Sequence, residues 1–229
     1  MLVDIDTNWD VKEGEPYNVG MPELVRNGFM SFTIMDFFEN FVDAIKNKKE
    51  NKLKFFLENP NRTYWDSRDA FVQYKDTFII VPKLQHLHNI DKNTVLVNRV
   101  LPATQEYYQE LADRHGLFIR SEPGLILNEQ LTAEQYSIDK LWNKHLQGRQ
   151  DLQDDVAEHV YKYYKDKEGW DKLFGLYLPS VNERNPEIRA WGLGDRDGGP
   201  YVYARGGLGG SARFFGWSAP KNLEQELNQ

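Results

Sequence analysis

The 229-residue chain contains no cysteine, which removes disulfide scaffolds, thiol catalysis and cysteine-ligated zinc or iron–sulfur sites. Its longest apolar runs, such as Phe78-Ile79-Ile80-Val81, fall far short of the roughly 18 to 20 residues that span a bilayer, so no membrane partner is expected. The opening residues, Met1-Leu2-Val3-Asp4-Ile5-Asp6, place carboxylates where a secretory signal needs basic residues and then an apolar stretch. A cytoplasmic location is the expectation. Positive charge is in deficit: 28 Lys and Arg stand against 35 Asp and Glu, a net charge of -7. That balance argues against a surface devoted to nucleic acid but leaves room for a local basic patch. Catalytic signatures are missing too, with no G-x-S-x-G elbow, no H-E-x-x-H, no kinase set and no P-loop. No cofactor is expected.

What the chain does have is aromatic residues, 14% of the total, in a sequence 40% hydrophobic with a mean hydropathy of -0.67. Large amphipathic side chains of this kind bury enough area for a folded chain, and a mass of 26.8 kDa is sufficient for a core without staples. With no repeat, low-complexity tract or long linker, residues 1–229 read as one α+β domain. Residues 1–28 read as an irregular arm with at most a short strand, because Gly, Pro, Asn and Asp are frequent there. Phe37, Phe38, Phe41, Val42 and Ile45 then define an amphipathic helix that Thr33 or Asp36 caps. The lysine-rich run 46–52 that follows reads as a solvated face.

Ala70–Tyr74 and Thr77–Val81 have the composition and spacing of a hairpin, and Asn93–Leu101 reads as a third strand. Trp65-Asp66-Ser67-Arg68-Asp69, just before the hairpin, reads as an exposed turn with a local ion pair. Pro102 is expected to start a helix that Gly116 ends. Thr132 and Gln135 form a capping box ahead of Ile138, Leu141, Trp142 and His145, and Asp151 opens a helix with Leu152, Val156, Val160 and Tyr163 inward. The joint at 148–150 makes a helical hairpin. The expected architecture is an antiparallel or mixed sheet with helices on one face, and a C-terminal glycine-rich β-hairpin built from 201–205 and 211–217.

Residues 190–220 are rich in Gly, Arg and aromatics. Tyr201, Tyr203, Arg205, Arg213, Phe215 and Trp217 form a candidate binding surface, since arginine planes and aromatic faces stack on bases or sugars. A glycan or nucleic acid is the chemistry such a surface would take. The stretch Gly207-Leu208-Gly209-Gly210-Ser211-Ala212 has dinucleotide-loop spacing but lacks the helix that must follow. His86 and His88 are the metal-like pair, because alternate residues of a strand point the same way. Asp4, Asp6, Asn8, Asp10 and Glu15 match the spacing of a calcium loop, yet Trp9 occupies the position of its glycine. His115, Arg120 and Glu122 are the catalytic candidates, as an acid–base or anion-binding group near a helix end and a strand end.

Two functions follow. The first is a non-catalytic binding or assembly protein, a subunit of a larger complex or a self-associating chain, because tryptophan and tyrosine are abundant while catalytic motifs are absent. The alternative is a hydrolase or transferase acting on a phosphate-containing or sugar substrate, with Arg205 and Arg213 holding the anion.

Overall fold

In the computed structural model, the described residues are 9–27, 29–53, 65–196, 199–204, 208 and 211–218. The chain is α+β. β1 (Trp9–Pro16) runs into α1 (Tyr17–Arg26), then β2 (Phe29–Ser31) and α2 (Ile34–Lys46). β3 (Trp65–Lys75) and β4 (Thr77–Val81) form the expected hairpin, with Ala70 opposite Val81 and Tyr74 opposite Thr77. Next come α3 (Gln85–His88), β5 (Leu101–Pro102), α4 (Gln105–His115) and β6 (Phe118–Ile119). The helical hairpin comprises α5 (Ala133–Ile138), α6 (Lys140–His145), α7 (Gln150–Asp155), a π-helical turn (Val156–Val160) and α8 (Tyr161–Glu168). β7 (Gly175–Tyr177), β8 (Asn182–Arg196), β9 (Gly199–Tyr203) and β10 (Ser211–Ser218) complete a mixed sheet ordered β1-β10-β3-β8-β9-β7.

The two-residue period of the strands divides the core. Phe71, Phe78 and Ile80 face α2 and the helical hairpin, whereas Ala70, Val72, Ile79 and Val81 face α1, α3 and α4. Helices therefore cover both faces of the sheet, where the sequence pattern suggested one. The second layer arises partly from the segment expected to be irregular. Within it Tyr17, Met21 and Leu24 share one helical face, a signal obscured by Gly20 and by Pro22 inside α1. The calcium-like spacing is not a loop where it is described, because Asp10 and Glu15 belong to β1.

Five other expectations change. β10 pairs with β1, β2 and β3, and β9 pairs with β8 and β7, so β9 and β10 do not form a hairpin with each other. The strand expected over 93–101 shrinks to β5, because Val97 and Val100 bridge around Asn98 and Arg99, both in the left-handed region at φ 52° and 66°. Pro102 ends that strand, and Thr104 caps α4 instead. Ile138 is 84% exposed, since the helix breaks at Asp139, whose carboxylate accepts hydrogen bonds from the Leu141 and Trp142 amides and restarts it. Finally, the π turn inserts one extra residue, with the Tyr161 amide bonding the Val156 carbonyl. The apolar phase slips by one, and Tyr164 is buried in place of Tyr163.

The caps of α2 and α5 are as expected. Thr33 with Asp36, and Thr132 with Gln135, satisfy their helix N-termini reciprocally. Gly116 closes α4 at φ +81°. The lysine run lies outward with ion pairs from Lys46 to Asp155 and from Lys49 to Asp43, although Lys52 is buried 3.6 Å from Asp43.

Candidate functional site in a polar cleft beside strand β8

The β3–β8 ladder loses register twice. Gln73 pairs with Glu187 but Lys75 pairs with Asn182, so β8 carries surplus residues that loop outward. This bulge, the 178–181 connection and the residues after β6 enclose an open cleft of about 970 Å³. Arg120, Arg184 and Arg189 line it together with Asn98, Asn128, Asn182, Glu183 and Glu187.

Strand alternation explains its floor. Gln73 lies two residues from Phe71, and Glu187 and Arg189 precede Trp191 by four and two, so these polar groups continue the face whose other residues form the core. Gln73 is fully buried and Glu187 is 5% exposed. Oε1 of Glu187 accepts from Gln73 Nε2 at 2.5 Å and from Arg189 Nε at 2.8 Å, and its Oε2 accepts from Asn182 Nδ2 at 2.8 Å. Gln73 Nε2 also donates to the Ser180 carbonyl at 3.1 Å, while Arg120 donates to Gln73 Oε1 and, at 2.9 Å, to the Pro179 carbonyl. A carboxylate held by three donors is fixed in orientation. The floor is thus a preorganised polar surface.

Two backbone positions at the rim sit in the left-handed region, Asn98 and Asn128 at φ 61° for the latter. Asparagine tolerates this conformation because its short amide bonds nearby backbone, and Asn128 accepts from the Leu178 amide at 3.1 Å. Burial lowers the Arg120 guanidinium below its ordinary range, an effect opposed by Glu187 and Asp76.

Of the catalytic candidates, Arg120 alone lines the cleft. Glu122 pairs with Lys140 on α6, and His115 ends α4, where burial and the neighbouring Lys144 and Arg114 lower its pKa. His115 and Glu122 are thus drawn toward α6, whereas Arg120 faces β3 and β8. His86 and His88 lie on a helical turn rather than a strand, so they do not share a face as alternate strand residues would; the His86 ring packs 5.0 Å from Tyr107. The side chain of His88 lies outside the described residues, among which no group of three or more His, Cys, Asp or Glu could hold a metal. Tyr201 and Tyr203 join Tyr177 in a ring ladder, at 5.2 Å between Tyr177 and Tyr201 and 5.8 Å between Tyr201 and Tyr203. Arg205 lies outside the described residues, as do the side chains of Arg213, Phe215 and Trp217, whose backbones belong to β10.

No family model, curated protein or solved structure matches the chain. Its function is therefore argued from geometry alone. No helix among the described residues is long and apolar enough to cross a membrane.

A second polar cluster occupies the other end of the same ladder. Asp66 pairs with Gly192 and Ala70 with Ala190, so here β3 carries the extra residues, and Ser67, Arg68 and Asp69 are buried rather than exposed. Asp69 accepts from the Ile34 amide at 2.6 Å, stabilising the start of α2, and from the Lys83 amide at 3.0 Å; burial nevertheless raises its pKa to about 6. Asp66 accepts from the Tyr203 hydroxyl at 3.4 Å, and burial of its carboxyl raises the pKa to about 7. Arg68 Nη2 lies 3.9 Å from Asp36, and its Nε has no acceptor.

Gln73, Asn182, Arg184, Glu187 and Arg189 are not among the residues that the sequence pattern singled out. The available signal was the alternation Glu187, Arg189, Trp191, which places charge and core on one face of a strand.

Proposed function

We propose that the protein is a non-catalytic binding protein that docks a partner protein at the β8 cleft. One observation carries the reading: the cleft sets an exposed apolar side chain, Val181, beside a polar floor whose carboxylate is held by three donors. Val95, Val97, Leu117, Ile119 and Val181 are exposed, and each belongs to or lies within three residues of the segments that supply Asn98, Arg120 and Asn182 to the cleft. The other large hydrophobics exposed among the described residues, Val19 and Ile138, lie elsewhere in the sequence. Apolar contacts beside fixed polar groups are the composition of a protein interface. The network also supports binding over catalysis, because Gln73, Asn182 and Arg189 hold the Glu187 carboxylate in place.

Site-specific photocrosslinking tests the reading. A photoreactive residue at Val181, in the cells that produce the protein, is expected to give a discrete adduct that one at Val19 or Ile138 does not. Equal labelling at all three positions, or none at Val181, overturns it. Light scattering of the purified chain separates a second copy from a different partner.

A further inference from the structure

We infer that the cleft recognises the carboxylates of an acidic, extended segment of the partner. This deepens the docking reading and rests on it. Both oxygens of Glu187 already accept hydrogen bonds, Oε1 from Gln73 and Arg189 and Oε2 from Asn182. Donors remain. Arg120 directs Nη1 to the Pro179 carbonyl and Nη2 to Gln73, while its Nε–H is buried without an acceptor. Arg184 is exposed on the same cleft and forms no ion pair among the described residues. The exposed Arg184 guanidinium can take an incoming anionic oxygen in charge-assisted hydrogen bonds, the stronger class of such bonds.

Charge points the same way. The cleft gathers three arginines against two glutamates on a chain whose net charge is -7. An acidic segment is repelled by the general surface and attracted here, which restricts its contact to one place. Carboxylate and phosphate share this chemistry. The peptide source is favoured because Val181, exposed on the cleft, offers apolar contact area that a free ion cannot use.

Fluorescence anisotropy with a labelled peptide of alternating glutamate and valine tests the inference on the full chain. The peptide is expected to bind, to weaken as salt rises, and to bind at least about tenfold more tightly than its glutamine–valine counterpart. R184E should weaken it by about tenfold or more at an unchanged melting temperature. Equal binding of the two peptides, no binding at millimolar peptide, or indifference to R184E overturns the inference. Displacement by inorganic phosphate without any peptide binding assigns the site to a free anion and also overturns it. If crosslinking at Val181 persists in R184E while peptide binding is absent, docking stands and carboxylate recognition fails; if crosslinking at Val181 is itself absent, the docking reading fails first.

Discussion

The two register shifts of the β3–β8 ladder differ in what they do with polar residues. At the Gln73 end the surplus residues belong to β8 and open outward, leaving a floor in which hydrogen bonds link Gln73, Glu187, Arg189, Asn182 and Arg120, with Arg120 Nε left without an acceptor. At the Asp66 end the surplus belongs to β3 and turns inward, burying Ser67, Arg68 and Asp69. There Arg68 Nε is likewise orphaned, Tyr203 reaches Asp66 at only 3.4 Å, and burial raises the pKa of two carboxyl groups. Equivalent irregularities in one ladder thus produce a solvent-facing polar cleft and a sealed joint in which buried carboxylates are electrostatically costly. A bulge supplies polar side chains, and the layer covering it decides whether they meet water, a partner or each other.

The largest effect should come from breaking the satisfied network. Glu187→Ala leaves Arg189 and Gln73 without their shared acceptor and is expected to cost about 3 to 5 kcal/mol in denaturant unfolding. A loss below about 1 kcal/mol would mean that the floor is solvated like an ordinary surface. At the sealed end, Gly192 lets the Tyr203 ring approach, since a Cβ there would lie 2.5 Å from the ring. Gly192→Ala should cost about 1 to 3 kcal/mol through overpacking.

The pH dependence distinguishes the two ends directly. The folded pKa values of Asp66 and Asp69, about 7 and about 6, lie above the ordinary 3.8, so the folded state binds protons more tightly than the unfolded one. Their contribution to stability is greatest below about 4 and is lost as pH rises through 6 and 7. Asp66→Asn should flatten this slope in thermal melts and raise the melting temperature at pH 8, whereas an unchanged slope would show that Asp66 is solvated. The smallest effect belongs to the cleft rim. Arg184→Ala should change stability by less than about 0.5 kcal/mol, because its exposed guanidinium holds nothing in place. A larger loss would make Arg184 part of the floor.

How far these features were legible in the sequence varies from residue to residue. The β3–β4 hairpin, the α2 stripe and both capping boxes depend on contacts within a few positions, and local periodicity revealed them. Asp66 to Asp69 look like an exposed turn because four polar residues in a row carry no strand signal; β8 and the start of α2 bury them anyway. Arg120 was recognisable as a site residue, but its partners lie 47 and 59 positions away, beyond any local pattern. The one-residue slip at the π turn, which buries Tyr164 in place of Tyr163, is likewise set by packing across the hairpin.

Composition by itself determined that thiols and disulfides take no part in this protein, since no arrangement of the chain can supply a missing atom. Local pattern determined the α+β class, the starts of α2 and α5 and the end of α4, because capping and side-chain periodicity act over three or four residues. Tertiary structure alone decided that helices cover both sheet faces, that β10 joins β1 rather than β9, and that three arginines share one cleft. These outcomes depend on strand order and register, which are chosen by the burial of whole faces across long sequence separations.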